Sequence, residues 1–199
     1  MARRPETASQ TAGPYVHIGL DPDAAGIEGG PRGLPAQPAA QETPGERIAL
    51  EGAVLDGAGA PVRDAVVESW QADPAGIFPH PADPRAAAVA AGFRGWGRAS
   101  ADPETGLWRI ETVRPGRIPG PGGAAAAPHV ALWIVARGIN TGLHTRLYFA
   151  DEADANAEDP LLRMLGPRGR TMIAEAARPG CWRLDIRLQG PDETVFLDV

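Results

Sequence analysis

Hydrophobic residues along this chain recur mostly in short runs at every second position, and the runs are separated by Gly, Pro and Asp. A two-residue period over five to eight residues is the mark of a strand with one face buried. Leu107 to Val113 shows it plainly, with Trp108, Ile110 and Thr112 opposed to Leu107, Arg109 and Glu111. In Val62 to Ala72, Val67, Ser69 and Gln71 alternate with Val66, Glu68 and Trp70. Arg47 to Asp56 carries Ile48, Leu50, Ala53 and Val54, and Asp56-Gly57-Ala58-Gly59 follows it. Two runs flanking a Gly-rich turn predict a hairpin. His129 to Val135 is a nearly continuous apolar run between Pro128 and Arg137-Gly138-Ile139-Asn140, and Thr145 to Ala150 follows as its partner. Trp96 to Ala99, Trp182 to Leu188 and Thr194 to Val199 complete the set, with Gly190-Pro191-Asp192 between the last two. Helical content is slight: a short helix over Arg85 to Ala91, a turn or two within Asp151 to Asp159, and a weak helical pattern over Leu161 to Ala177. Seven or eight short strands with turn signals between them predict an all-β fold, a β-sandwich or barrel with long loops.

The 199 residues make one domain, or one domain with extensions. Gly 25 and Pro 21 are high without a collagen period, and they place those residues in loops. The segment Asp21 to Glu46 is rich in Gly, Pro and Ala and has little apolar periodicity, so it reads as a connecting arm able to wrap a partner. Ahead of it, Gly13-Pro14 signals a turn. The net charge is −6, and all 19 basic residues are arginine. An acidic chain is a poor match for nucleic acid. The single cysteine, Cys181, beside Trp182, reads as a small buried apolar residue and fits a reducing compartment. Arg3-Arg4 is not followed by an apolar stretch, and no run approaches the roughly 20 residues of a membrane span. The expectation is a soluble cytoplasmic protein without a membrane or nucleic-acid partner.

Motif chemistry read from spacing alone is sparse. There is no phosphate-binding GxxxxGK[ST], no GxSxG elbow and no HExxH. The four histidines, His17, His80, His129 and His144, are not at the short spacings of ligand pairs, and a metal site needs three or four converging donors. His129 reads as a strand-end histidine and His80 as a loop residue. On these grounds the chain is a β-sandwich with an unassigned site.

Several stretches resemble the intradiol dioxygenases, and in particular the α chains of their two-chain members. They are Gln10-Thr11-Ala12-Gly13-Pro14-Tyr15-Val16-His17-Ile18-Gly19, Glu68-Ser69-Trp70-Gln71-Ala72-Asp73, Arg114-Pro115-Gly116, Ala127-Pro128-His129, Ala136-Arg137-Gly138-Ile139-Asn140 and Leu143-His144-Thr145-Arg146-Leu147-Tyr148-Phe149. The closing Arg187-Leu188-Gln189-Gly190 and Glu193-Thr194-Val195-Phe196 fit as well. The resemblance implies a β-sandwich and cleavage of a catechol between its hydroxyl-bearing carbons, with both atoms of O₂ added. It implies Fe(III) held by two tyrosines and two histidines of a homologous β chain, and αβ units assembled into a larger hetero-oligomer. The matching ligand positions here are Phe78, Ile118, His129 and Ala131. Three of the four lack a lone pair suited to a hard ferric ion, so this chain is expected to hold no metal, with His129 a remnant.

The resemblance also implies that residues 1–46 form an arm contacting the partner chain and its active site, and that 47–199 form the sandwich. Thr11, Gly13, Pro14, Tyr15 and Arg137 match positions that reach the substrate pocket at the junction of the two chains. Arg137 would offer a permanent charge and a planar donor fork to an aromatic carboxylate, and Gly13 would allow close backbone approach. Tyr15 fits a purely structural anchor equally well. The alternative is a non-enzymatic β-sandwich that binds a ligand or serves an assembly.

Overall fold

The computed structural model describes residues 11–22, 26–27, 37–120 and 123–198. Two sheets pack face to face. The first is built on β1 (Arg47–Leu55), which pairs antiparallel with β4 (Leu107–Val113) on one edge. Its other edge runs parallel to β10 (Cys181–Arg183) and then β11 (Ile186–Arg187). The second sheet has the order β3 (Trp96–Ser100), β2 (Val66–Trp70), β7 (His129–Val135), β8 (Leu143–Phe149), all antiparallel. One strand, β9 (Ile173–Arg178), joins them: it pairs antiparallel with β10 and parallel with β8. β5 (Ile118–Pro119) and β6 (Ala125–Ala126) form a separate two-residue ribbon. The short helices are α1 (Val16–Leu20), α2 (Ala153–Glu158) and α3 (Pro160–Leu165). No helix of the described residues is long and apolar enough to cross a membrane.

Alternation dictates which side chains meet between the sheets. Leu50 from β1, Trp108 and Ile110 from β4, and Leu132, Ile134, Leu147 and Phe149 from β7 and β8 form one cluster, essentially without exposure. Each of the aliphatic members contributes about 1.5–3 kcal/mol by burial. The consequence for the site is that His129, Ala131 and Trp133 of β7, and Tyr148, Arg146 and His144 of β8, are left on the opposite, outer face of the second sheet.

The hairpin expected between the first two runs does not form. The turn is there: Asp56 Oδ1 accepts from the amides of Ala58 (2.8 Å) and Ala60 (2.9 Å), and the amide of Val62 bonds Val54 O at 2.7 Å. The ladder then stops, and the chain crosses to the other sheet, where β2 pairs with β3 and β7. β1 is buried at nearly every position and needs covered edges on both sides, which β4 and the β10–β11 segment supply. Gly52 permits that contact: a Cβ there would stand 1.9 Å from Leu184 O.

Other expectations shift more modestly. The run Trp182 to Leu188 is two strands broken at Leu184-Asp185, where Asp185 Oδ1 accepts from Ala53 N at 3.0 Å. The helical reading of Leu161 to Ala177 holds for α3 and a three-ten stretch, Gly166–Met172; from Ile173 the chain is strand. Gly166, at a φ of 55°, ends the helix, and docking of Ile173 and Ala174 beside Tyr148 and Phe149 decides the rest. Arg85 to Ala91 reduces to one three-ten turn, Ala86–Ala88. Thr194 to Val199 makes a single bridge, Leu197 to His144, and Val199 lies outside the described residues. Of the N-terminal arm, 1–10, 23–25 and 28–36 also lie outside them. Its end, from Gln37, packs on this chain itself: Ala39 bridges Phe93, and Pro38 O accepts from Arg94 N and Gly95 N.

Candidate functional site

The stretch Trp70-Gln71-Ala72-Asp73 closes β2 and builds the wall of a cavity. Gln71 is buried; its Nε2 donates to Val113 O (2.8 Å) and its Oε1 accepts from Thr112 Oγ1 (2.9 Å). That pair ties the end of β2 to the end of β4. Asp73, also buried, accepts from the amides of Ala75, Ile77 and Ala90, each at 2.9 Å. Its carboxylate therefore shapes the loop that carries Phe78. Phe78 lies nearly parallel to Trp70, with ring centroids 5.8 Å apart and planes 14° apart. Ile118, on β5, lines the same cavity of about 650 Å³ with Pro119, His80 and the Asp83–Arg85 ion pair.

Ala131 is the cross-strand neighbour of Trp70 on one side and of Arg146 on the other. His129, two residues earlier on the same face, is buried and stacks at 5.3 Å on Tyr148. Its Nδ1 bonds Ala127 O at 2.8 Å. A carbonyl only accepts, so Nδ1 carries the proton in the neutral ring. Burial first, then the charge of Arg146, holds the His129 pKa down at about 4. Burial likewise pushes the Tyr148 phenol up to about 12. Arg146 Nη1 donates to that phenol at 3.2 Å, and the phenol donates to Asp159 Oδ1 at 3.3 Å. Asp159 is fully buried and caps α3 through the amides of Leu161 and Leu162, while its Oδ2 accepts from Ala127 N. At neutral pH the imidazole and the phenol of this cluster are both neutral, and the Asp159 side chain is committed largely to backbone donors.

A second cluster forms where the N-terminal segment meets the turn between β7 and β8. Ala12 N donates to Ile139 O at 3.3 Å and Ala12 O accepts from Gly138 N at 3.4 Å. These two bonds join the segment that carries Thr11, Gly13, Pro14 and Tyr15 to the turn that carries Arg137, more than 120 residues away in sequence. Pro14, His17, Arg63, Asp64 and Arg137 line one cavity of about 630 Å³. Arg137 is two-thirds exposed, at 67%, and its Nε stands 3.4 Å from the half-buried Asp64 carboxylate. Tyr15 is 74% exposed, which does not suit a buried anchor among the described residues. No described residue comes within 4 Å of where a Cβ on Gly13 would stand. The far end of α1 is fixed by Arg98, which donates to Leu20 O, and by Ser100, which donates to Asp21 Oδ2 at 2.9 Å. Asp64 and Asp159 are not marked by any sequence pattern, and His17 and Arg146 stand in the resembling stretches without a role; each is placed here by register or a fold-back contact.

Residues 31–179 match the family model described as Dioxygenase, and the chain belongs to that family. The chain is 44% identical over 199 residues to the protocatechuate 3,4-dioxygenase alpha chain of Pseudomonas putida, covering 98% of this chain and 96% of that one. It is 33% identical over 160 residues to the beta chain of Burkholderia cepacia protocatechuate 3,4-dioxygenase, covering 75% of this chain and 67% of the other. In fold it is similar to a catechol 1,2-dioxygenase from Acinetobacter sp. ADP1, with a TM-score of 0.61 at 20% identity over 91% of this chain and 74% of that one.

The iron that the family implies does not fit the donors present. His129 has the orientation of a ligand, with Nδ1 tied to a carbonyl and Nε2 left as the lone pair. It stands alone: Phe78 and Ile118 line an apolar cavity and Ala131 is a methyl on the sheet. One imidazole does not hold a ferric ion. Among the described residues no group of three or more His, Cys, Asp or Glu could hold a metal.

Proposed function

We propose that this chain is the α subunit of a protocatechuate 3,4-dioxygenase, active in aromatic catabolism only in complex with an iron-bearing β-type chain. The complex opens the ring of 3,4-dihydroxybenzoate between its hydroxyl-bearing carbons, and O₂ supplies two further oxygens to give 3-carboxy-cis,cis-muconate. The observation that carries this reading is the pairing of 44% identity to an alpha chain with a ligand set reduced to His129. Fe(III) enters with the β-type chain, and αβ units build the larger hetero-oligomer. The similarity of this chain to a beta chain supports a homologous pair.

In this proposal the arm, residues 1–46, reaches the partner's active site and residues 47–199 form the sandwich. Arg137 binds the substrate carboxylate through its terminal nitrogens, while Thr11, Gly13, Pro14 and Tyr15 close the pocket from above. The exposure of Arg137 and of Tyr15 supports this, because a junction between chains would cover both. The lone buried Cys181 supports a reducing, cytoplasmic setting.

The test is co-expression with a β-type chain. This chain alone should be colourless and iron-free, and the complex should show the visible tyrosinate-to-iron band and ring cleavage. In the complex, Arg137→Ala should raise KM for 3,4-dihydroxybenzoate by about 10- to 150-fold, the worth of a hydrogen bond to a charged group. Stoichiometric iron with ring-cleaving activity in the isolated chain would refute the proposal. An unchanged KM in the variant would remove Arg137 from the pocket.

A further inference from the structure

Among the described residues, the side chain of Arg137 has one polar partner, Asp64, whose Oδ2 stands 3.4 Å from Nε. The sheet accounts for the pairing. β2 and β7 run antiparallel with Val66 opposite Val135, so the same register carried two residues further sets Asp64 opposite Arg137. Paired positions lie about 4.5–5.5 Å apart at Cβ, a gap that a short carboxylate and a long guanidinium close easily. Exposure differs across the pair, 18% for the Asp64 side chain against 67% for Arg137, so the carboxylate is the inner member. Asp64 also differs from the other turn aspartates. Asp56, Asp73, Asp83 and Asp102 each accept the backbone amide two residues on. Asp64 accepts from no backbone amide among the described residues, and Arg137 is its one partner there. A carboxylate kept largely out of water needs a nearby donor or cation, and here that group is the Arg137 head.

A guanidinium offers a carboxylate two kinds of in-plane edge: one through Nε and a terminal nitrogen, the other through both terminal nitrogens. Asp64 stands against the first, and both residues line the cavity of about 630 Å³ that also contains Pro14. We propose that Asp64 is a positioning residue: by holding Arg137 at Nε it sets the plane of the guanidinium and turns the edge made by the two terminal nitrogens to the carboxylate of the substrate. This rests on the reading of Arg137 as the anchor of that carboxylate in the αβ complex. The physical gain is in entropy. A long side chain two-thirds in water samples many rotamers, and one already held loses less freedom when the acid binds. At 3.4 Å the contact is an ion pair rather than a full hydrogen bond, so it steers the head without locking it.

The test is equilibrium dialysis of the complex with a β-type chain, using 3,4-dihydroxybenzoate and catechol as probes. It is run without O₂, so that the ring stays closed and binding alone is read. Asp64→Ala should weaken the acid about three- to tenfold, the coupling expected of two residues in contact. Catechol, which has no carboxylate, should bind as before, whereas a merely structural loss would weaken both probes alike. Asp64→Asn keeps an acceptor of the same shape and should return the acid to within about twofold of the unsubstituted complex. In an Arg137→Ala background, Asp64→Ala should weaken the acid no further. Asp64→Ser keeps a small polar turn residue and takes the place of the alanine variant if that one does not assemble. Suppose that Arg137→Ala weakens the acid. Acid binding then unchanged or tightened by Asp64→Ala, or equal losses for acid and catechol, would overturn the Asp64 proposal and leave the α-subunit reading standing. A silent Arg137→Ala, or a complex that never becomes coloured, would instead remove that reading of Arg137 and the Asp64 proposal with it.

Discussion

Glu51 lies on the outer face of the first sheet, at the centre of β1, and its carboxylate is nearly buried between two arginines. Arg178 meets it through both terminal nitrogens, at 3.0 and 2.7 Å, and Arg109 through one at 3.0 Å. Those contacts, the Arg178 hydrogen bonds foremost, draw the Glu51 pKa from 4.5 to about 2. A displacement of that size corresponds to roughly 3 kcal/mol. Arg109 and Arg178 are 44% and 54% exposed, so water and salt screen the pair. About 1–2 kcal/mol is the stabilisation to expect. Because the folded-state value is depressed, this contribution is complete above the unfolded-state pKa. It is lost as pH falls from about 4.5 toward 2. Glu51→Gln keeps the shape and removes the charge. Urea unfolding of both proteins should therefore show a gap of about 1–2 kcal/mol at pH 7 that falls to under half by about pH 3 and closes near pH 2. High salt at pH 7 should narrow it too. A gap of equal size at pH 7 and pH 3 would show that the cost is packing, and the electrostatic account would be refuted.

Asp73→Ala leaves three amides, those of Ala75, Ile77 and Ala90, without their acceptor. About 3–5 kcal/mol of stability should be lost, read by chemical unfolding, with cleavage by protease appearing first in the loop around Phe78. Gly52→Ala places a Cβ 1.9 Å from Leu184 O and 2.7 Å from its carbonyl carbon. The chain should be destabilised by at least about 3 kcal/mol or fail to accumulate in soluble form. Gly57→Ala is the matched control. Its nearest obstacle is Gln189 Oε1 at 2.6 Å, the tip of a flexible side chain, so the loss should stay below about 1 kcal/mol.

Alternation was enough to reveal β2 and β4 and their buried faces, because sheet pleating converts a local two-residue period directly into a facing direction, while β7 and β8 were legible as short apolar runs between turn residues. It could not reveal pairing. Asp56-Gly57-Ala58-Gly59 turns the chain back as its residues demand, but β1 takes β4 and β10 as neighbours because those edges bury more. Likewise Ile173 to Arg178 has no strand signature of its own and is strand because β8 and β10 offer it two edges. The site divided the same way. The resemblance singles out Arg137 and Thr11 to Tyr15, and the structure joins their two segments through Ala12 with Gly138 and Ile139. The contacts among Arg146, Tyr148 and Asp159 were not legible, since they depend on register across β7 and on a helix cap 11 residues further along. Asp64 was missed for the same reason, its contact with Arg137 crossing 73 residues of chain.

The positions that the resemblance matches to iron ligands are each taken up in packing: Phe78 lies on Trp70, Ile118 pairs with Ala126 in the ribbon, and Ala131 stands between Trp70 and Arg146 across the sheet. A hydroxyl or an imidazole set singly at Phe78, Ile118 or Ala131 would enter that packing without the three or four converging donors that a metal needs. A centre could be built here only by changing a loop, the β5–β6 ribbon and β7 together, so a screen of single substitutions would find no gain of iron.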